Sequence, residues 1–260
     1  KNGNESDLQK SLPSRNISLA GRYTYAYDGR YFAEFNFGYN GSERFAKKER
    51  FGFFPSFSVG WRISEEPFLK KMQESWLTNL KVRYSYGEVG SDKGAPRFNY
   101  IQLFESGGNV TFGKNQNVSF GPLYTEGSLA YHDATWETAV KQNLGIEMTL
   151  FRKLLASIDL FKEDRTGILM SRNSSAPWMG TGLPSVNIGK TKNHGLELEL
   201  GWNDKVGKNF SYFAKFNFST SENRVVFKDD PNRLDDYLKA AGKPIGYVNK
   251  YLVSGNFGSI

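Results

Sequence analysis

The chain has 260 residues, 34 Lys plus Arg against 27 Asp plus Glu for a net charge of +7, and an aromatic content of 15%. That aromatic load is too high for a disordered chain, and no apolar run approaches the ~18 residues that a membrane helix needs. The absence of cysteine excludes a disulfide scaffold, an iron–sulfur cluster and a cysteine-built zinc site.

In chain order, Lys1 to Lys10 is polar, with no basic-then-apolar leader. From Ile17 the hydrophobicity has period two: Ile17, Leu19, Tyr23, Tyr25 and Tyr27 alternate with Ser18, Ala20, Arg22, Thr24 and Ala26. Asp28-Gly29 marks a tight turn. A second strand sets Tyr31, Ala33, Phe35, Phe37 and Tyr39 against Arg30, Glu34 and Asn36. A third sets Phe51, Phe53, Phe57, Val59, Trp61 and Ile63 against Gly52, Ser56, Ser58, Gly60 and Arg62. A short helix is expected around Pro67 to Gln73. Leu80 to Tyr86, Val140 to Leu150, Leu154 to Leu160, Leu196 to Trp202 and Phe210 to Phe218 alternate in the same way, and a ninth strand is expected from Tyr247 towards Phe257. The last six residues, Gly255 to Ile260, read as the middle of a strand, so a segment of a longer chain is expected.

A run of about 13 residues at ~3.3 Å each spans ~43 Å, and tilted by ~45° it covers ~30 Å, the thickness of a bilayer core. One face is apolar and aromatic, as on a lipid-facing wall with aromatic girdles. The other is small, polar and charged. It carries Arg22, Arg30, Arg62, Lys81, Arg83, Lys141 and Lys215 against Glu34, Glu147, Asp159, Glu163, Glu197 and Glu199. Such a balance predicts ion pairs rather than a single-sign filter and points to no nucleic-acid partner. The connections alternate between short (Tyr27 to Tyr31, Ser64 to Trp76, Phe151 to Lys153, Asn203 to Asn209) and longer (Asn40 to Arg50, Gly90 to Thr135, Gly167 to His194, Asn223 to Gly246). Short turns at one end and long loops at the other describe an outer-membrane barrel. The same alternation also fits a soluble β-sandwich that wets its charged face. If Phe151-Arg152-Lys153 is a hairpin loop, Leu150 faces Leu154, Gly145 faces Asp159, and Lys141 pairs with Glu163.

Chemistry-bearing motifs are sparse. His132-Asp133 has no activated serine placed beside it by any motif, so no catalytic residue is assigned. Gly189-Lys190-Thr191 resembles the end of a phosphate loop, but Pro184 stands where its first glycine belongs. Asp229-Asp230 and Asp235-Asp236 lack the order of a calcium loop, so no metal or cofactor is expected. Trp178, Tyr124 and Tyr131 are loop aromatics suited to stacking on a sugar or docking a partner, or to packing small loop cores.

The stretch from Phe54 to Phe68 (FPSFSVGWRISEEPF) and that from Leu80 to Gly90 (LKVRYSYGEVG) resemble the barrel of SusC/RagA-type TonB-dependent transporters. Trp136-Glu137-Thr138, Asn187-Ile188-Gly189 and Asn193-His194-Gly195-Leu196-Glu197 fit the same family. The resemblance implies an all-β, antiparallel transmembrane barrel of about 22 strands in the outer membrane. Residues 1–260 would form a partial barrel of about nine strands, with plug, signal peptide and C-terminal strands elsewhere. It implies import of oligosaccharides or peptides with a SusD-like lipoprotein as lid and TonB acting through the plug. On that reading Arg22, Glu34, Lys81, Arg83, Lys141, Glu163, Glu197 and Glu199 line the lumen, and the opposite face meets outer-membrane lipid. Two other readings stand beside it: a soluble carbohydrate-binding β-sandwich, and an outer-membrane barrel enzyme or adhesin.

Overall fold

The computed structural model describes residues 12–70, 76–113, 118–173, 182–231 and 235–249. Ten strands follow one another: β1 (Asn16–Tyr27), β2 (Tyr31–Ser42), β3 (Phe51–Arg62), β4 (Leu77–Ser91), β5 (Phe104–Phe112), β6 (Val118–Glu126), β7 (Glu137–Leu150), β8 (Leu154–Met170), β9 (Val186–Val206) and β10 (Phe210–Phe227). Eight form one antiparallel sheet in the order β1-β2-β3-β4-β7-β8-β9-β10, while β5 and β6 pair as a separate hairpin.

The register keeps the two faces distinct. Tyr27, Tyr31, Trp61, Val82, Ile146, Ile158, Leu198 and Phe218 are successive cross-strand partners in one row that crosses all eight strands. One residue along, the row reads Ala26, Phe32, Gly60, Arg83, Gly145, Asp159, Glu197 and Ser219. Because side chains alternate strictly along a strand, the first row belongs to the apolar face and the second to the polar face. Leu150 faces Leu154, Gly145 faces Asp159 and Lys141 faces Glu163, as the hairpin reading requires.

The turns explain the local geometry. Asp28 and Gly29 both have positive φ, 51° and 63°, matching the right-handed twist of the flanking strands. Phe151 and Arg152 adopt the same conformation at 53° and 56° without a glycine, and Lys153 N–H closes the turn on Leu150 C=O at 3.0 Å. Arg30 belongs to the first of these turns rather than to the charged strand face, and its guanidinium bonds Asp28.

Several strands run farther than their apolar alternation. β8 reaches Met170, β9 begins at Val186 and β10 reaches Phe227, which shortens the loops expected there. The reason is visible in the rows: beyond Leu144, Leu160 and Leu196 the apolar face continues as Gln142, Lys162, His194 and Glu222. Backbone pairing persists where the hydrophobic signal has stopped. The β5–β6 hairpin lies inside what reads as one long loop, because register shifts around Gly108 break its alternation. Of the helix expected at Pro67 to Gln73, Pro67 to Leu69 is a turn and Lys70 is helical, a 3-10 turn precedes them at Ile63–Glu65, and residues 71–75 lie outside the described residues. The ninth strand falls mostly on residues 250–260, also outside them; Tyr247 to Asn249 is not strand.

A single sheet has no interior of its own. The buried apolar cluster is Phe45, Ala95 and Ala134, with Tyr131, Trp136 and Leu169 packed against it, and it lies among the long loops. At the short-turn end an aromatic ladder stacks Tyr27 on Tyr31 and Tyr31 on Trp61, with centroids 6.4 and 6.5 Å apart. Glu66, only 7% exposed, fastens the connection after β3 to this ladder. Its carboxylate accepts hydrogen bonds from Tyr31 O–H (2.6 Å), Trp61 Nε1–H (3.0 Å) and Arg30 (3.4 Å). The two aromatic donors, aided by the Arg30 charge, hold the Glu66 carboxyl below the usual carboxylate range. A depressed pKa contributes stability above the unfolded value and loses it as pH falls through the folded one. The expected outcome for Glu66→Gln is a lower unfolding temperature at neutral pH, with the gap to wild type closing under acid. Thermal unfolding of the detergent-solubilised parent protein across pH measures it.

Candidate functional site on the polar face and the loop end

All eight of the charged positions expected to line a channel share the polar face: Arg22 and Glu34 on β1–β2, Lys81 and Arg83 on β4, Lys141 on β7, Glu163 on β8, Glu197 and Glu199 on β9. Most of this face's charges pair across strands. Arg22 meets Glu34 at 2.5 Å, Lys141 meets Glu163 at 3.4 Å, and Lys215 meets Glu199 at 3.6 Å. Arg165 bridges Glu137 at 2.6 Å and Glu163 at 2.9 Å. Arg83 is the widest bridge: Nε reaches Glu147 at 2.9 Å and Nη2 reaches Asp159, two strands away, at 2.6 Å. It crosses Gly145, where an added Cβ would stand 2.6 Å from Arg83 Nε. Gly145 is therefore small because a guanidinium lies over it. Sequence pairing by neighbouring strands found Lys141–Glu163 but not this second-neighbour bridge; its trace in the sequence is a lone glycine between Asn143 and Glu147 on β7.

Phe32 is one of the aromatics on this face, which Phe54, Phe161 and Phe213 share by register. Arg62 lies 5.4 Å and Lys81 5.5 Å from its ring centroid, within cation–π range. A concavity of about 550 Å³ opens beside it, lined by Phe32, Glu34, Lys81 and Arg83.

The loop end is built on the residues that make the sequence distinctive. Phe45 is fully buried. Trp136 packs against Phe45 and Phe54, both at 5.3 Å between centroids. Phe54 in turn lies over Gly90, where a Cβ would come within 1.9 Å of its ring. Asn187 donates to Thr135 C=O (2.9 Å) and Gly167 C=O (2.7 Å), and accepts from Thr135 N–H (3.0 Å). Ser42 donates to Asp92 at 2.6 Å, Arg44 to Ala95 C=O at 2.6 Å, and Arg97 meets Glu43 at 2.8 Å. These bonds tie the connections 43–50, 92–103 and 128–136 into one body.

The loop aromatics separate. Tyr131 packs against the buried cluster, and its N–H donates to Asn99 C=O. Tyr124 sits on β6 and is 70% exposed. Trp178 lies outside the described residues. The acidic loop residues have local partners: Asp229 accepts from Asn173 N–H, Asp230 from Ala240 and Ala241 N–H, and Asp236 from Lys239. Among the described residues no group of three or more His, Asp or Glu is placed to hold a metal ion.

This two-faced antiparallel sheet, short-turned at one end and looped at the other, is barrel wall. The model for the TonB dependent receptor-like β-barrel family matches residues 6–259, and the chain belongs to that family. A TonB-dependent receptor of Formosa agariphila is 31% identical over 92% of this chain and 22% of its own length. The TonB-dependent receptor SusC of Bacteroides thetaiotaomicron is 27% identical over 90% of this chain and 23% of its own. Among solved structures, the RagAB peptide importer in its open-open state superposes with a TM-score of 0.68 at 21% identity, over 92% of this chain and 23% of that one, a likeness of fold. The chain thus spans less than a quarter of the length of these relatives. These relatives are named as receptors and an importer.

Two outcomes are expected. Arg83→Met leaves Glu147 and Asp159 without their shared cation and destabilises the sheet by about 1–2 kcal/mol, more than Asp159→Asn does, by thermal unfolding. Phe45→Ala removes the centre of the loop cluster, at a local cost of about 3 kcal/mol. The loops 43–50 and 92–103 then become protease-sensitive while the strands melt unchanged, as limited proteolysis reports.

Proposed function

We propose that the chain forms part of the wall of an outer-membrane transporter that imports oligosaccharides or peptides. The observation that carries this reading is the apolar row from Tyr27 to Phe218 beside a polar, charged row, in register across eight paired strands. Tyr23, Phe35 and Phe57 are exposed on the apolar face. A soluble sandwich would cover them with a second sheet, but among the described residues the only other sheet is the β5–β6 hairpin at the loop end. Acyl chains are the solvent such a face fits, with Tyr27, Tyr31 and Trp61 as the girdle at the short-turn end. The polar row Gln142, Lys162, His194 and Glu222 marks where hydrocarbon gives way to headgroups at the other end.

On this reading the short turns are periplasmic and the long loops extracellular. Arg22, Glu34, Lys81, Arg83, Lys141, Glu163, Glu197 and Glu199 line the lumen as a paired, hydrophilic wall. The exposed Tyr124 contacts substrate or lid, and Tyr131 supports the loop body beneath it. The edges β1 and β10 pair with further strands of the parent barrel, since unpaired backbone is not tolerated in hydrocarbon. A plug domain that contacts TonB and a SusD-like lipoprotein acting as lid complete the machine, and this segment itself does no covalent chemistry. The family membership and the SusC and RagAB relatives support that assembly.

The test is deletion of the parent gene, followed by growth on a panel of glycans and peptides and by membrane fractionation of an epitope-tagged copy. The expected outcome is an outer-membrane protein whose loss abolishes growth on one polymer class and whose uptake collapses without proton-motive force. A protein recovered in the soluble fraction would overturn the reading.

A further inference from the structure

Resting on the importer reading, we infer that the chain holds a subsite for an anionic chain, a carboxylate-bearing oligomer, between the barrel wall and the connection that follows β10. That connection folds back over β10. Val225 N–H donates to Lys243 C=O (2.9 Å), Gly242 N–H to Val225 C=O (2.7 Å), and Ile245 N–H to Asn223 Oδ1 (2.7 Å). Asp230 cinches its base by accepting from Ala240 and Ala241 N–H at 2.8 and 3.2 Å. Between this flap and strands β7–β10 lies a cavity of about 900 Å³. That is the size range of small-ligand sites.

The charges lining it are unequal in kind as well as number: five cationic side chains against three carboxylates. Each carboxylate is already occupied. Arg165 holds Glu137 and Glu163, Lys141 adds to Glu163, and Asp230 is taken by the flap's own amides. The cations are not equally engaged. Lys239 pairs with Asp236 at 2.5 Å, but Lys228 has no carboxylate partner among the described residues. The Lys243 ammonium meets the Tyr237 carbonyl and stands 4.7 Å from the centroid of the Tyr247 ring, with no carboxylate partner among the described residues. A lysine that lines a cavity without a counter-charge attracts an anion, because the local potential is positive. Phe227 and Tyr247 supply apolar surface for the ligand's backbone or ring. The ligand's carboxylates fall to Lys228 and Lys243. Two sources share this chemistry, oligouronates and acidic peptides, and the experiment separates them.

The full-length parent protein, purified in detergent, is titrated by calorimetry with trigalacturonate and with a tetraglutamate peptide, and with maltotriose and a tetraserine peptide as neutral counterparts. The expected result is that one acidic probe binds at least tenfold tighter than its neutral counterpart, with affinity falling as salt rises. The double variant Lys228→Gln/Lys243→Gln loses at least tenfold, while Lys47→Gln/Lys48→Gln, two exposed lysines in another loop, binds like wild type. The heat-modifiable shift in gel mobility confirms that each variant is folded. Equal affinity for the neutral probes, no binding of either acidic probe, or wild-type affinity in the Lys228/Lys243 variant would overturn the proposal. The two readings fail separately: import of a purely neutral chain removes the anionic subsite and leaves the transporter, whereas acidic-probe binding by a protein that sits outside the outer membrane removes the transporter and leaves the subsite.

Discussion

Every feature of this chain depends on cross-strand register. With side chains alternating at period two, a slip of one residue between any two neighbouring strands would carry half the sheet's aromatic rings to the charged face. The row from Tyr27 to Phe218 stays apolar across seven successive pairings. A soluble protein can bury one inconsistent side chain in a core. A single sheet has no core of its own in which to hide it, so the alternation itself acts as the stabilising pattern.

The polar face uses that register to make pairs that short loops could not. Arg83 spans β4, β7 and β8 because Gly145 leaves a lane for its guanidinium. Arg165 does the same work higher on β7 and β8 with Glu137 and Glu163. Bridges over adjacent strands resist sliding as well as separation, since each fixes one charge against two partners in different strands. They also leave the polar face hydrophilic yet nearly balanced in charge. The cavity beneath the flap after β10 carries a local excess of cations, Lys228 and Lys243 among them.

The only buried apolar cluster among the described residues belongs to the loops. Phe45, Trp136 and Phe54 join connections that are far apart in sequence, and Asn187 sutures the start of β7 to the bulge in β8. The family-like phrases around Trp136 and Asn187 are thereby explained as joints between connections. The WRISEEPF phrase has the same kind of origin: Trp61 and Glu66 in it are donor and acceptor of one hydrogen bond that pins a connection to the aromatic ladder.

What the sequence determined by itself was everything that period two encodes: the alternating faces, the tight turns at Asp28-Gly29 and after Leu150, and the Lys141–Glu163 register. These are local, and a residue's parity is fixed by its distance from the turn. What only the tertiary structure decided lies where the signal is not periodic in hydrophobicity. β8, β9 and β10 run on past the apolar band because backbone hydrogen bonds do not need greasy side chains. The β5–β6 hairpin is hidden by its bulges, and the reach of Arg83 to Asp159 depends on strands separated in sequence by 76 positions. The flap over β9 and β10 depends on backbone amides meeting carbonyls, a pairing that any residue type permits and that no sequence pattern therefore marks.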